Sequence, residues 1–261
     1  MNGRILTKLA GFGLLFFAVS LNLLVSFAEG AEVTSANQFF YQGNSAYKEG
    51  KYEEAIDDYE KVLGLGVENG GLYYNLGNSH FKKGELGKAV FNYEKALFFI
   101  PNDSDLKANH GYVLSLLNLG PQSFGNWFEK FANRLFEGAT INFLTIFLSA
   151  IYITAILILI CNLFFDGIKR NIRVLFLMFL ALFVLSAVSL NGKITYFKKG
   201  AIVINKEADV KFEPIKEATT YFKLTEGAKV EILERTEDWY KIKRPDGKIG
   251  WVHKTELESF I

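Results

Sequence analysis

Ten side chains suited to holding a ligand recur in two sets 34 residues apart. Phe40, Tyr41, Asn44, Tyr47 and Lys48 form the first, and Tyr74, Asn75, Asn78, Phe81 and Lys82 the second. Their chemistry is recognition. Amides exchange hydrogen bonds with a peptide backbone, rings receive apolar side chains, and lysines add charge at the rim. Tyr47 and Phe81 suit helix packing equally well, and both readings stay open for them. The other eight are candidate partner-binding residues.

The residue types of catalysis are present without its spacing. His80, His110 and His253 are scattered and lack metal-ligand spacing. There is no serine or cysteine nucleophile motif and no glycine-rich loop following a strand. No paired carboxylates stand in an apolar context. Glu53-Glu54 and Asp57-Asp58 read as a solvated helix face. No enzymatic activity, metal or cofactor is expected, an enzyme with a composite site being the weakest alternative. The net charge of +1 gives no pull toward nucleic acid or acidic substrates. Cys161 is the one cysteine, so no disulfide can form within the chain; inside an apolar run it reads as packing material.

The elements that carry the two sets follow from a longer recurrence. Gly43-Asn44-Ser45-Ala46-Tyr47-Lys48-Glu49-Gly50 returns as Gly77-Asn78-Ser79-His80-Phe81-Lys82-Lys83-Gly84. Ala55 and Ala89 follow, then Tyr59-Glu60-Lys61 and Tyr93-Glu94-Lys95. A 34-residue period with small residues at fixed places marks stacked helix pairs. The spacing predicts helices over 36–49 and 52–64, with the pattern repeated up to Pro101, where proline ends the second pair. Gly50 and Gly84 stand where a left-handed C-terminal residue is wanted.

These residues resemble tetratricopeptide repeats. A bulky residue (Phe39, Tyr73), a glycine four positions on, the inner aromatic, the alanine, the second aromatic and the closing proline all match. The resemblance implies repeats over 36–69 and 70–103, a capping helix over 104–118 that keeps the spacing with Gly111, and a concave face lined by the candidate residues. Asn44 and Asn75 match the asparagines of the carboxylate-clamp subgroup. Phe40 and Asp105 stand where its lysines belong, so a free carboxylate is not the expected ligand. Such arrays bind proteins, and one this short needs neighbours to bury its faces.

Three apolar runs set the rest of the architecture. Residues 1–30 read as a secretory signal: Arg4 and Lys8, then an apolar stretch from Phe12 to Phe27, then small residues for cleavage. An uncleaved anchor helix is the alternative, and both send the following segment across a membrane. Residues 141–165 and 174–190 read as two transmembrane helices joined by a tight basic turn. Between repeats and hairpin, 124–138 is amphipathic, with Trp127, Phe128, Phe131 and Leu135 on one face. It reads as an interfacial helix, or alternatively as a partner-binding one. Loop charge does not fix orientation; the signal does. The simplest assignment is a bacterial inner-membrane protein with two spans and both soluble domains periplasmic.

From Gly200 the pattern changes to short runs of period two, such as Lys229-Val230-Glu231-Ile232-Leu233 and Trp239-Tyr240-Lys241-Ile242-Lys243. Pro245-Asp246-Gly247 is a turn, and Ile249-Gly250-Trp251-Val252 pairs back. Five or six strands in so few residues predict a small all-β barrel with little room for a cavity. Ala208-Asp209-Val210, Phe222-Lys223-Leu224 with Gly227, and Asp246-Gly247 leading to Gly250-Trp251-Val252 resemble bacterial SH3-like (SH3b) domains. Relatives bind peptides or cell-wall material through aromatic surfaces. Tyr221, Trp239 and Tyr240 are the candidates here, with Trp251 expected in the core; aromatics that merely fill a small core are the plainer reading.

The fold class expected is thus a multidomain membrane protein: all-α tetratricopeptide repeats, a two-helix transmembrane hairpin and an SH3-like barrel over 200–261. That order of parts resembles the BatE proteins of the Bacteroides aerotolerance operon. The resemblance implies a scaffold in an envelope stress complex, working with membrane-bound von Willebrand A-domain proteins and, indirectly, a MoxR-type ATPase. A cell-wall sensor that binds peptidoglycan through the SH3-like domain is the alternative.

Overall fold

The computed structural model describes residues 35–120, 122, 124–164 and 169–261, with the backbone alone at 159–164 and 169–173. The signal expected over 1–30 and the first part of the basic turn lie outside the described residues. The chain forms two compact units, Met1–Glu68 and Asn69–Ile261, each taken by itself below.

The first unit is a helix pair, α1 (35–48) and α2 (Tyr52–Gly64). Ala55, Ile56, Tyr59 and Val62 place one apolar face of α2 inward. A Cβ on Gly43 would come within 2.6 Å of the Tyr59 ring, so the bare glycine is what admits the tyrosine. The Tyr59 hydroxyl then donates to Asn44 Oδ1 at 2.8 Å. Gly50 closes α1 at φ 78°, in the left-handed region that costs glycine no Cβ clash.

The second unit begins with the same device. Asn69 caps α3 (Gly70–Lys83) by accepting from Leu72 N–H at 2.9 Å, and α4 (Leu86–Phe99) follows. A Cβ on Gly77 would lie 2.5 Å from the Tyr93 ring, and the Tyr93 hydroxyl donates to Asn78 Oδ1 at 2.8 Å. Backbone approach, ring and hydrogen bond all recur with the sequence period. The next helix, α5 (Ser104–Leu116), starts at the Asp103 cap. Gly111, third in the series, meets no described atom within 4 Å of an added Cβ.

Helix α6 (Trp127–Leu135) opens on a capping box between Asn126 and Glu129. Ala132 is buried, whereas Trp127 (78% exposed), Phe131 and Leu135 keep their apolar face uncovered. Two long helices follow, α7 (Ile141–Phe164) and α8 (Lys169–Lys199), packed on each other and both long and apolar enough to cross a membrane. Helix α8 runs nine residues past Leu190, where the apolar run ends. Tertiary contacts hold that extension: Phe197 stacks on Phe98 at 4.2 Å, and the Tyr196 hydroxyl donates to Glu94 at 2.9 Å.

The C-terminal sheet has seven strands: β1 (Gly200–Val203), β2 (Glu207–Lys211), β3 (Thr220–Thr225), β4 (Lys229–Arg235), β5 (Trp239–Lys243), β6 (Ile249–His253) and β7 (Leu257–Ser259). Their order is β3-β2-β6-β5-β4-β1-β7, with each paired neighbour antiparallel. Strand β1 begins at the residue after α8 ends. Val203, Val210, Val230, Ile242 and Val252 meet in the core. Strict alternation in β6 turns Gly250 and Val252 inward, so Trp251 faces outward, half-buried under the Lys241 ammonium. It is not the core tryptophan expected from sequence.

Candidate functional site

In the first unit, Tyr41 (70% exposed) and Lys48 stand in solvent, while Phe40 packs its ring near Tyr41 and Tyr59. Asn44 gives its amide oxygen to Tyr59, so that acceptor serves the repeat itself. Tyr47 lies edge-on to Tyr52 at 5.5 Å, a packing role.

In the second unit α3 and α5 share a polar and aromatic strip. Tyr74 is half-buried and its hydroxyl accepts from Asn109 Nδ2 at 2.8 Å; the same nitrogen lies 3.1 Å from Asn78 Oδ1. Asn78 thus accepts twice from within the fold and acts as a strut. Asn75 is half-buried, and its backbone carbonyl accepts from the Ser79 hydroxyl at 2.8 Å. Lys82 is exposed at the end of α3, and Phe81 sets its ring edge-on to Tyr112 at 5.9 Å. Tyr112, 56% exposed, and Asn109 belong to this strip although the sequence reading omitted them. The period held the signal for both, since they lie 34 residues beyond Asn75 and Asn78.

The aromatics of the C-terminal domain divide otherwise than expected. Tyr221 is exposed beside Phe212, and Tyr240 is half-buried under the Arg235 guanidinium. Trp239 is only 9% exposed and stands edge-on to His253, its cross-strand partner, so it offers no open stacking face. Its edge lines a hollow of about 330 Å3 with Asp209, Lys211, Lys223, His253 and Glu256.

A second cluster, with no local sequence signal, joins the sheet to the helices. Glu94 of α4 is buried; its Oε1 is paired with the Lys229 ammonium of β4 and lies 2.9 Å from His110 Nε2 of α5. Burial alone would raise the Glu94 pKa, but Lys229 and His110 outweigh it and hold the carboxyl well below its ordinary value. Around this centre, Phe91 stacks on Phe260 at 5.3 Å and Gln122 accepts from Lys229 N–H at 2.8 Å. Glu226 accepts from Gly87 N–H at 2.6 Å. Glu85, at the N-cap of α4, makes no side-chain cap, so the sheet domain supplies an anionic one in its place. The second repeat and the sheet therefore touch, and they lie on one side of any membrane that α7 and α8 cross.

The remaining histidines have structural partners. His80 Nδ1 is 2.6 Å from Glu85 Oε2, and burial lowers its pKa; His253 bonds the Thr255 hydroxyl at 2.7 Å.

Comparison with known families matches each soluble part. Residues 43–84 match the family described as TPR repeat, residues 71–103 match Tetratricopeptide repeat, and residues 207–258 match Bacterial SH3 domain. No curated protein matches the chain. The fold and these matches define a class: tetratricopeptide repeats joined to a bacterial SH3-type domain through two helices apolar enough to cross a membrane.

Proposed function

We propose that the chain is a non-enzymatic, membrane-anchored adaptor whose repeats hold a protein partner. The observation that carries this is the open face of α5. Gly43 and Gly77 each receive a tyrosine, whereas Gly111, at the same place in the period, faces no described atom within 4 Å. Tyr112 and Leu116 stay exposed on the same helix, so α5 resembles the first half of a pair awaiting its second. The surroundings proposed are a bacterial inner membrane, with α7 and α8 as its spans and both soluble domains periplasmic. The exposed apolar face of α6 suits the bilayer interface. The order of parts supports a place in an envelope stress complex of the aerotolerance type, beside von Willebrand A-domain proteins and a MoxR-type ATPase. A photo-crosslinking residue at Tyr112 should capture one discrete polypeptide in cells, and Gly111→Trp should abolish the adduct without lowering the thermal midpoint. No adduct, or one indifferent to Gly111→Trp, would sink the adaptor.

The hollow beside Trp239 favours a second reading, a cell-wall sensor. On that reading the detergent-solubilised full chain is retained on purified sacculi, and Lys223→Glu with Asp209→Lys reduces retention about tenfold. Equal retention of variant and parent rejects this role for the hollow.

A further inference from the structure

A cleft of about 1020 Å3 opens between α6, the outer part of α8 and strands β4 and β5. One end is apolar: Phe183, Val184, Ala187 and Val188 line it along one face of α8. The other end is polar, reaching Asn133 of α6, Gln122, Glu231 and Lys243. From Phe183 to Lys193 the helix rises about 15 Å, roughly the thickness of one hydrocarbon leaflet. The cleft thus passes from bilayer depth to the water interface along one wall.

Two residues of its lining each keep one buried polar atom without a partner. Among the described residues, neither Asn133 Oδ1 nor Gln122 Nε2 has a hydrogen bond, although Gln122 Oε1 is bonded. One is an acceptor and the other a donor. Leaving either dry and unpaired costs free energy, so an occupant that both donates and accepts fits best. Charge narrows the choice. The lining holds three carboxylates (Glu129, Glu137, Glu231) and three ammoniums (Lys193, Lys229, Lys243). Lys229 is taken by Glu94, and Glu129 closes the α6 capping box. What remains has no excess of either sign, and Glu231 and Lys243 are direct cross-strand partners.

We propose that this cleft binds one phospholipid with a zwitterionic, hydrogen-bond-donating headgroup, phosphatidylethanolamine. Its acyl chain lies along Phe183 to Val188, its ammonium donates to Asn133 Oδ1 beside Glu231, and its phosphate accepts from Gln122 and Lys243. A choline headgroup has the same charge but no N–H, and a glycerol headgroup has net negative charge.

The site rests on the membrane-hairpin reading, so the two are tested apart. Resistance of the chain to alkaline carbonate extraction reports the hairpin alone. For the site, native mass spectrometry of the detergent-purified full chain compares phosphatidylethanolamine, phosphatidylcholine and phosphatidylglycerol. One phosphatidylethanolamine adduct should form about tenfold more tightly than either other lipid. Asn133→Leu and Lys243→Ala should each remove that preference, and Val184→Trp should displace the lipid altogether. Circular dichroism confirms that each variant is folded. Equal binding of the three lipids, a preference for either other one, no adduct, or a preference that survives Asn133→Leu and Lys243→Ala overturns the proposal even if the chain resists extraction.

Discussion

Lys229→Ala is expected to destabilise the second unit by about 3–5 kcal/mol, the usual cost of removing one partner from a buried ion pair. Most of that cost lies in the group left behind. Glu94 is buried, and without Lys229 its carboxylate keeps only His110 Nε2 and the Tyr196 hydroxyl as partners. Thermal or denaturant unfolding of the purified chain in detergent measures the loss. The pH dependence adds a second signature. The folded pKa of Glu94 is depressed below 4.5, so its pairing stabilises fully above the unfolded value and is lost as pH falls through the folded one. In Lys229→Ala the burial that raises the pKa is less opposed. The gap between parent and variant should therefore narrow as pH falls below about 4.5. A gap that stays constant down to the acid limit would show that Lys229 acts through packing alone. Replacing Glu94 and Lys229 together by Leu and Met should cost much less than either single alanine, because no orphan charge remains.

Gly87→Ala is expected to detach the SH3-type domain from the repeats. An added Cβ would stand 2.7 Å from the Val203 carbonyl oxygen and 2.8 Å from the Ile204 Cα, both of them backbone. A side chain could rotate away from such a contact; a strand cannot. The clash also sits at the amide capped by Glu226, so relieving it breaks that bond. Hydrogen exchange should show faster exchange at the Gly87 and Lys229 amides, with the sheet core unchanged. Gly111→Ala is the control: in an exposed helix interior with open space it should gain up to about 1 kcal/mol. If Gly87→Ala exchanges like the parent, the docked arrangement is not the one that the chain adopts in solution.

The helix pairs were legible because their determinants are local and repeated. Gly43 with Tyr59 and Gly77 with Tyr93 sit at one spacing, and each glycine has a single job. The same period carries Asn109, 34 residues beyond Asn75, but a helix read only as a solvating cap gives no reason to place it among the ligand-facing residues. Trp239 and Trp251 were harder, because alternation fixes which residues share a face without fixing which face is inside; Gly250 against Val210 decides it. The Glu94 centre was not legible at all. Glu60 and Glu94 occupy equivalent places, yet Glu60 is exposed and Glu94 buried, and the difference is made by a strand 135 residues further on. Long-range docking leaves no mark on the periodicity of either partner.

Strand β1 starts where α8 stops, at Gly200 directly after Lys199. A sensor on a flexible leash can search a volume set by the leash. The SH3-type domain has no leash, and the same strands that adjoin α8, β1 and β4, are fastened to the second repeat. Its reach is therefore no greater than its own width. A ligand of this domain would have to be brought to the end of α8, and a turn of that helix about its axis would swing the domain with it.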